Sequence, residues 1–303
     1  MDVVSRIATL VEDLIELPKF LEVKRALQGA GAGAFRTMGY VCRDQAEKIP
    51  DRPALRFERE TVTFGAFNAG VNRYANLLRR RGVGKGDVVN VMMENSPAML
   101  MAQGACAKLG AIAALINTHL EGEALAHVHQ ASKAKVAVVD RPCARAMLPL
   151  LDRLRDLAVL ADVPDLVAEG SRFLPLLEEL DGSSDAEPDM PDVRIGDVFL
   201  YVYTSGTTGF PKPAIVRHAR FTAGGHSLAI LLGETQDDCV YAPTPLYHGY
   251  ANFVGFSPAF HKGACFASRR KFSASEFLPD VQRHGVTIFC YVGELCRYLM
   301  RTP

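Results

Sequence analysis

Between Tyr201 and His218 the chain reads YVYTSGTTGFPKPAIVRH: an apolar run, two glycines among hydroxyl residues, then a lysine between two prolines. After a strand, the backbone N–H groups of a Gly-rich loop can converge on an anion. Gly206 and Gly209 permit positive φ and close approach. Thr204, Ser205, Thr207 and Thr208 add hydroxyl donors, and Lys212 a full positive charge, while Pro211 and Pro213 restrict the backbone around it. These residue types suit the gripping of a phosphate chain. The spacing is not that of a Walker A loop, which needs GxxxxGK followed by Ser or Thr. A flexible surface turn has the same composition, so the elements around the loop must decide.

Those elements alternate. DVVNVMM (Asp87–Met93) reads as a short apolar strand, and Ser96 followed by Pro97 as the cap and first turn of a helix that Gly110 ends. AIAALI is a second strand, Glu121–Ser132 a helix and KVAVVD (Lys135–Asp140) a third strand. Past the polar stretch DGSSDAEPDMPD the alternation restarts with DVFLYVY, a helix over Ala219–Leu232, DCVYAP, a helix over Gly249–His261 and ACFAS. SASE (Ser273–Glu276) reads as a capping box opening a helix that Gly285 closes; VTIFCYV is the last strand, and a helix begins near Glu294. Short apolar strands separated by helices predict an α/β fold with mostly parallel sheets flanked by helices. The expected organisation is an amphipathic N-terminal arm over 1–40, a first α/β subdomain over 41–180, a linker over 181–192 and a second α/β subdomain over 193–303 that carries the phosphate loop. The pattern stops part-way through a helix at Pro303, so a truncation is expected.

The full string YTSGTTGFPK resembles the phosphate-loop signature of adenylate-forming (AMP-binding) enzymes, which include acyl-CoA synthetases, luciferases and peptide-synthetase adenylation domains. GVGKGDVVNVMMENSP, KLGAIAALINTHLEGEALAHVHQASKAKVAVVD and PTPLYHGYANFVGF resemble the same superfamily. KFSASEFLPDVQRHGVTIFCYVGELCRYLM is similar to its fatty acid transport protein and very-long-chain acyl-CoA synthetase branch. The resemblance implies the N-terminal part of an acyl-CoA synthetase-like adenylation domain. It implies attack of a fatty acid carboxylate on ATP to give an acyl-adenylate, then displacement of AMP by the thiol of coenzyme A. Fixed N–H groups, hydroxyls and a cation stabilise the charge that builds on phosphate in such a step. Thr204, Ser205, Gly206, Thr207, Thr208, Gly209 and Lys212 are then the expected ATP contacts, with Lys212 and His248 as the catalytic pair. His248 lies in PLYHGYANF, where it orients the carboxylate as a cation or a donor.

Tyr247, His248, Asn252, Phe253 and Phe256, with Tyr291 and Gly293, are the expected substrate contacts, the apolar ones lining an acyl tunnel; an aromatic stripe at this spacing equally suits plain core. Glu294 and Arg297 lie one turn apart and are read as a surface pair. His127 and His129 point to different faces of one helix, so no metal site is expected there. The run Arg269–Lys271 is read as a solvated loop or a basic rim for acidic substrates. The family pattern also expects a YGxTE segment whose glutamate binds magnesium, a ribose-gripping aspartate, an adenine-stacking aromatic and a catalytic lysine in a small C-terminal domain. None of these occurs before Pro303. Two other readings therefore stay open: a non-catalytic fatty-acid-binding or uptake protein, and an adenylation domain for another carboxylate.

Composition sets the outer limits. Of 303 residues, 49% are hydrophobic and 22% charged, which suits a soluble domain with a sizeable core. Lys plus Arg number 34 and Asp plus Glu also 34, so no bulk charge recruits nucleic acid. Seven cysteines without a CxxC pair suit a reducing cytoplasm. The apolar stretch Pro97–Asn117 contains Gln103 and Lys108 and is split by Gly110, and reads as a buried helix and strand rather than a membrane span. The arm carries Val4, Ile7, Val11, Leu14 and Ile15 at helical spacing beside an acidic face; it packs on the protein or touches a membrane peripherally.

Overall fold

The structure is a computed structural model, and it describes residues 18–24, 37–168, 170–204 and 209–302. Most of the arm expected over 1–40 thus lies outside the described residues; within it, 18–24 are helical. From there the chain runs through α1 (Met38–Lys48), β1 (Pro53–Phe57), β2 (Glu60–Thr63), α2 (Phe64–Arg80), β3 (Val88–Met92), α3 (Pro97–Leu109), β4 (Ile112–Leu115), α4 (Gly122–Ser132), β5 (Val136–Val139) and α5 (Arg141–Met147). Next come β6 (Ala158–Ala161), α6 (Pro164–Ala168), β7 (Leu174–Pro175), α7 (Leu176–Asp181), β8 (Val198–Thr204), β9 (Lys212–Arg217), α8 (His218–Leu232) and β10 (Cys239–Tyr241). A π-helical segment (Ala251–Phe256) leads into α9 (Ser257–Lys262), and β11 (Cys265–Ser268), α10 (Phe277–His284), β12 (Ile288–Phe289) and α11 (Gly293–Leu299) follow.

Two sheets result. One has seven strands in the order β7-β6-β5-β3-β4-β8-β9, parallel except where β8 and β9 pair as an antiparallel hairpin. The other has five, β12-β10-β11-β1-β2, parallel except for β1–β2. The sheets do not follow the expected division at 181–192. β8 and β9 join strands from the first half of the chain, and β1 and β2 join strands from the second. Nor is 181–192 a free linker. Its carbonyls at Ser184, Asp185 and Ala186 accept hydrogen bonds from Asn76 and Asn72 of α2, spaced one turn apart on one helix face.

Local sequence explains α3. The Ser96 hydroxyl accepts from Met99 N–H at 3.2 Å, Pro97 occupies the first turn, and Gly110 closes the helix at φ 65°. The helix and β4 are buried, as expected of the Pro97–Asn117 stretch. Among the described residues no helix is long and apolar enough to cross a membrane. The larger core joins the helices of both sheets through an aromatic cluster. Phe64 and Phe67 of α2 meet Phe260 at 5.1 and 4.9 Å, and Phe256 meets Phe266 at 5.7 Å. All seven cysteines are free.

Three expectations need correction. The SASE box does not form: α10 starts at Phe277 without a side-chain cap, because Ser273 bonds Ser275 and Glu276 faces Arg269. The helix expected over Gly249–His261 is π-wound over Ala251–Phe256, which shifts the side chains off a 3.6-residue stripe. VTIFCYV pairs as a strand only at Ile288–Phe289.

Candidate functional site

Parallel pairing decides where a site can form. β3, β4 and β8 point the same way, so the residues after each arrive at one edge of the seven-stranded sheet. β10, β11 and β12 do the same in the five-stranded sheet. Ligands of open α/β sheets bind outside such carboxyl ends. Between the two edges lies a cleft of about 340 Å³, lined by Glu94 after β3, Thr118 and His119 after β4, Tyr247 after β10, Arg270 after β11 and Val292 after β12.

The stem of the glycine loop stands on the seven-stranded edge. Thr204 ends β8 and pairs in register with Lys212 at the start of β9, and its hydroxyl lies 3.5 Å from the Lys212 carbonyl. Both side chains are exposed, and among the described residues no carboxylate pairs with Lys212. Gly209 takes φ 118°, a conformation that strains any residue with a side chain. Ser205, Gly206, Thr207 and Thr208 lie outside the described residues. Next to them, Phe210 is half exposed and stacks on His127 of α4, ring centroids 4.6 Å apart.

His248 is exposed in the loop after β10, its ring 4.6 Å from that of the buried Tyr247. Burial of its ring atoms, with His119 adding to it, lowers the His248 pKa from the ordinary 6.5. At neutral pH the imidazole is therefore uncharged, and of the two expected roles, cation or donor, donor is the one its setting favours. Burial also raises the Tyr247 phenol, so it stays protonated. Opposite, burial pushes the Glu94 carboxyl up, but hydrogen bonds from Lys271 and Arg270 more than offset this and leave it below its ordinary value. Of the Arg269–Lys271 run, Arg269 is withdrawn from solvent and pairs with the buried Asp280 at 2.9 Å, while Arg270 and Lys271 stay exposed beside Glu94.

The remaining candidates divide. Tyr291 is exposed and stacks on Phe289, its carbonyl accepting from Tyr250 at 2.7 Å; Gly293 opens α11 with free space where a Cβ would stand. Phe253 packs edge-on against Phe221 at 5.4 Å. Asn252 and Phe256 go into the core instead: Asn252 is fully buried between Gln103 and the Leu246 carbonyl, and Phe256 belongs to the aromatic cluster. Glu294 and Arg297 do pair on α11. His127 and His129 stay apart, His129 bonding Asn90 inside the fold. Among the described residues no three His, Cys, Asp or Glu side chains come together as a metal cage. Sequence reading missed Glu94, Thr118 and His119. Each follows an apolar strand of the parallel alternation, and that position was their signal.

The model of the AMP-binding enzyme family matches residues 42–303. The chain belongs to that family. It is 36% identical over 273 residues to the medium/long-chain-fatty-acid–CoA ligase FadD6 of Mycobacterium tuberculosis, covering 88% of this chain and 44% of that protein. Long-chain fatty acid transport protein 2 of Rattus norvegicus is 35% identical, with the same coverage of 88% and 44%. The chain thus spans less than half the length of the curated relatives it matches. Among solved structures, the inhibitor-bound N-terminal domain of FACL13 from Mycobacterium tuberculosis superposes with a TM-score of 0.77 at 25% identity, over 88% of this chain and 66% of that one.

Proposed function

We propose that this chain forms part of a fatty acid–CoA ligase, in which the substrate carboxylate attacks the α-phosphorus of ATP, pyrophosphate leaves, and the thiol of coenzyme A then displaces AMP from the acyl-adenylate. Magnesium enters with ATP as part of that substrate. The observation that carries the reading is the meeting, at one cleft, of residues that follow strands of both sheets: Glu94, Thr118 and His119 from one, Tyr247, Arg270 and Val292 from the other. The Thr204–Lys212 stem ends the β8–β9 pair of the first sheet, and His248 follows the cleft-lining Tyr247. An exposed ammonium with no carboxylate partner among the described residues, at the end of a Gly-rich sequence, suits the charge that builds on leaving pyrophosphate. A neutral His248 N–H can hold the carboxylate without neutralising it, which keeps the nucleophile charged. Tyr247, Tyr291 and the open space at Gly293 supply an apolar approach for an acyl chain. Use of ATP and coenzyme A fits a cytoplasmic protein, with the 1–40 arm as the segment for any peripheral membrane contact.

The test is ATP–pyrophosphate exchange driven by a long-chain fatty acid, on this chain and on longer chains that contain it. Fatty-acid-dependent exchange in any of them supports the ligase. The long-chain fatty acid transport protein among its relatives favours a second reading, a fatty-acid-binding protein without ligase chemistry. Retained fatty acid binding with no exchange in any form would select it.

A further inference from the structure

Asn95 stands on the cleft rim after β3, and its single amide meets three backbone groups of the other sheet. Nδ2 donates to the Thr244 carbonyl at 3.0 Å and to the Arg269 carbonyl at 3.1 Å, while Oδ1 accepts from Leu246 N–H at 2.7 Å. Thr244 and Leu246 belong to the loop after β10, and Arg269 follows β11. The Asn95 side chain is 96% buried by its 4% exposure, and Leu246 is 1% exposed. Leu246 is also held from behind, its carbonyl accepting from Asn252 Nδ2 at 2.5 Å, with Gln103 donating to Asn252 Oδ1 at 3.1 Å. Both backbone groups of Leu246 are therefore fixed, and His248 lies two residues on.

We propose that Asn95 is a positioning residue that ties the two sheets across the cleft and sets the place of His248, next to the cleft-lining Tyr247. This rests on the reading of His248 as the carboxylate contact. Only an amide meets the requirement, because two carbonyls need donors and one N–H needs an acceptor at the same planar group. Aspartate would turn a carboxylate toward two carbonyl oxygens. Alanine would leave three backbone groups unpaired in a buried setting, where each such loss is costly. Leucine or serine at this position would fail for the same count of partners. The mechanism gains from rigidity here, since a small misplacement of a group that orients a nucleophile lowers the rate steeply.

The experiment uses this chain, labelled for NMR, as wild type and as Asn95→Ala, with no substrate present. In the wild type the Leu246 amide should be protected from hydrogen exchange and His248 should titrate below 6.5. In Asn95→Ala the Leu246 amide should exchange about tenfold faster or more, as loss of one buried hydrogen bond implies. His248 should titrate upward, because its ring leaves the setting made by the Tyr247 ring and His119, while His218 on α8 should titrate as before. A lower melting temperature with Leu246 exchange or His248 titration unmoved would make Asn95 merely structural and overturn the proposal. If Asn95→Ala does not fold, the wild-type Leu246 amide decides: exchange as fast as an open loop overturns the proposal, and protection supports it. These readouts need no adenylation. A brace that behaves as described, in a protein with no fatty-acid-driven exchange in any form, would therefore sink the ligase reading and leave the brace standing.

Discussion

Breaking the charge pair that docks residues 181–192 should cost different amounts from its two sides. The side chain of Lys108 is fully buried, and its ammonium donates to Asn68 Oδ1 at 2.8 Å, to Asn72 Oδ1 at 2.7 Å and to the Glu187 carboxylate. Glu187 keeps 31% of its side chain in solvent. In Glu187→Gln the buried ammonium would be left with neutral acceptors only, a change worth about 3 kcal/mol, the lower end for a broken buried pair because Glu187 is part-exposed. In Lys108→Met the aliphatic stem still packs and Glu187 can hydrate, leaving mainly the buried Asn72 oxygen unpaired, at about 1–2 kcal/mol. Lys108→Met with Glu187→Gln removes both charges and should cost less than the two single changes together, by about 2 kcal/mol. Asn72 and Asn76 still hold the carbonyls at 184–186 in every variant, so the loss reports the charges rather than detachment of the segment. Urea unfolding of the four proteins, compared by midpoint at constant slope, measures this. Glu187→Gln proving milder than Lys108→Met, or strictly additive costs, would refute the argument from burial.

In a longer chain that shows fatty-acid-driven pyrophosphate exchange, Lys212→Ala should weaken that exchange by about 1.5–3 kcal/mol, the worth of a charge-assisted contact, while leaving the urea midpoint in place because the side chain is exposed. Unchanged exchange kinetics would remove its assigned role. Gly293→Phe should shorten the preferred acyl chain with stability kept within about 0.5 kcal/mol, since its Cβ meets open space; an unaltered chain-length profile would rule out an acyl path beside α11. Glu234 is buried with both oxygens unpartnered among the described residues, and burial, with Asp238 adding, raises its pKa from 4.5 to about 7. The unfolded chain then loses this proton first, so stability should fall by up to about 3 kcal/mol as pH rises from 4.5 to 7 and stay low above it. Glu234→Gln should flatten that fall, and urea midpoints at about pH 5 and pH 8 that change equally in both proteins would contradict it.

What could be read from the sequence was whatever lies within a dozen residues. Ser96, Pro97 and Gly110 mark both ends of α3 because caps are local hydrogen bonds. The YTSGTTGFPK string is contiguous, so a loop after β8 was recognisable although four of its residues lie outside the described structure; β9, which returns antiparallel to β8, was not read. The parallel character of the sheets followed from the alternation of strands and helices. Which strands share a sheet did not follow, because pairing is set by burial across the whole chain: β1 pairs with β11 and β4 with β8, across the stretch that reads locally as a linker. In the charged run Arg269–Lys271 the pairing of Arg270 and Lys271 with Glu94 was not legible, because Glu94 lies 176 residues from Arg270. Asn252 and Phe256 sat in the same string as His248 and were taken for substrate contacts, but π winding and the Phe64–Phe67 face of α2 draw Phe256 into the core. Asn95 carried no signal at all. A lone asparagine after a strand acquires a role only when residues 244, 246 and 269 are brought to its amide by the second sheet. The groups that do chemistry in such a fold are therefore more legible than the groups that aim them, because the first are chosen by type and the second by distance.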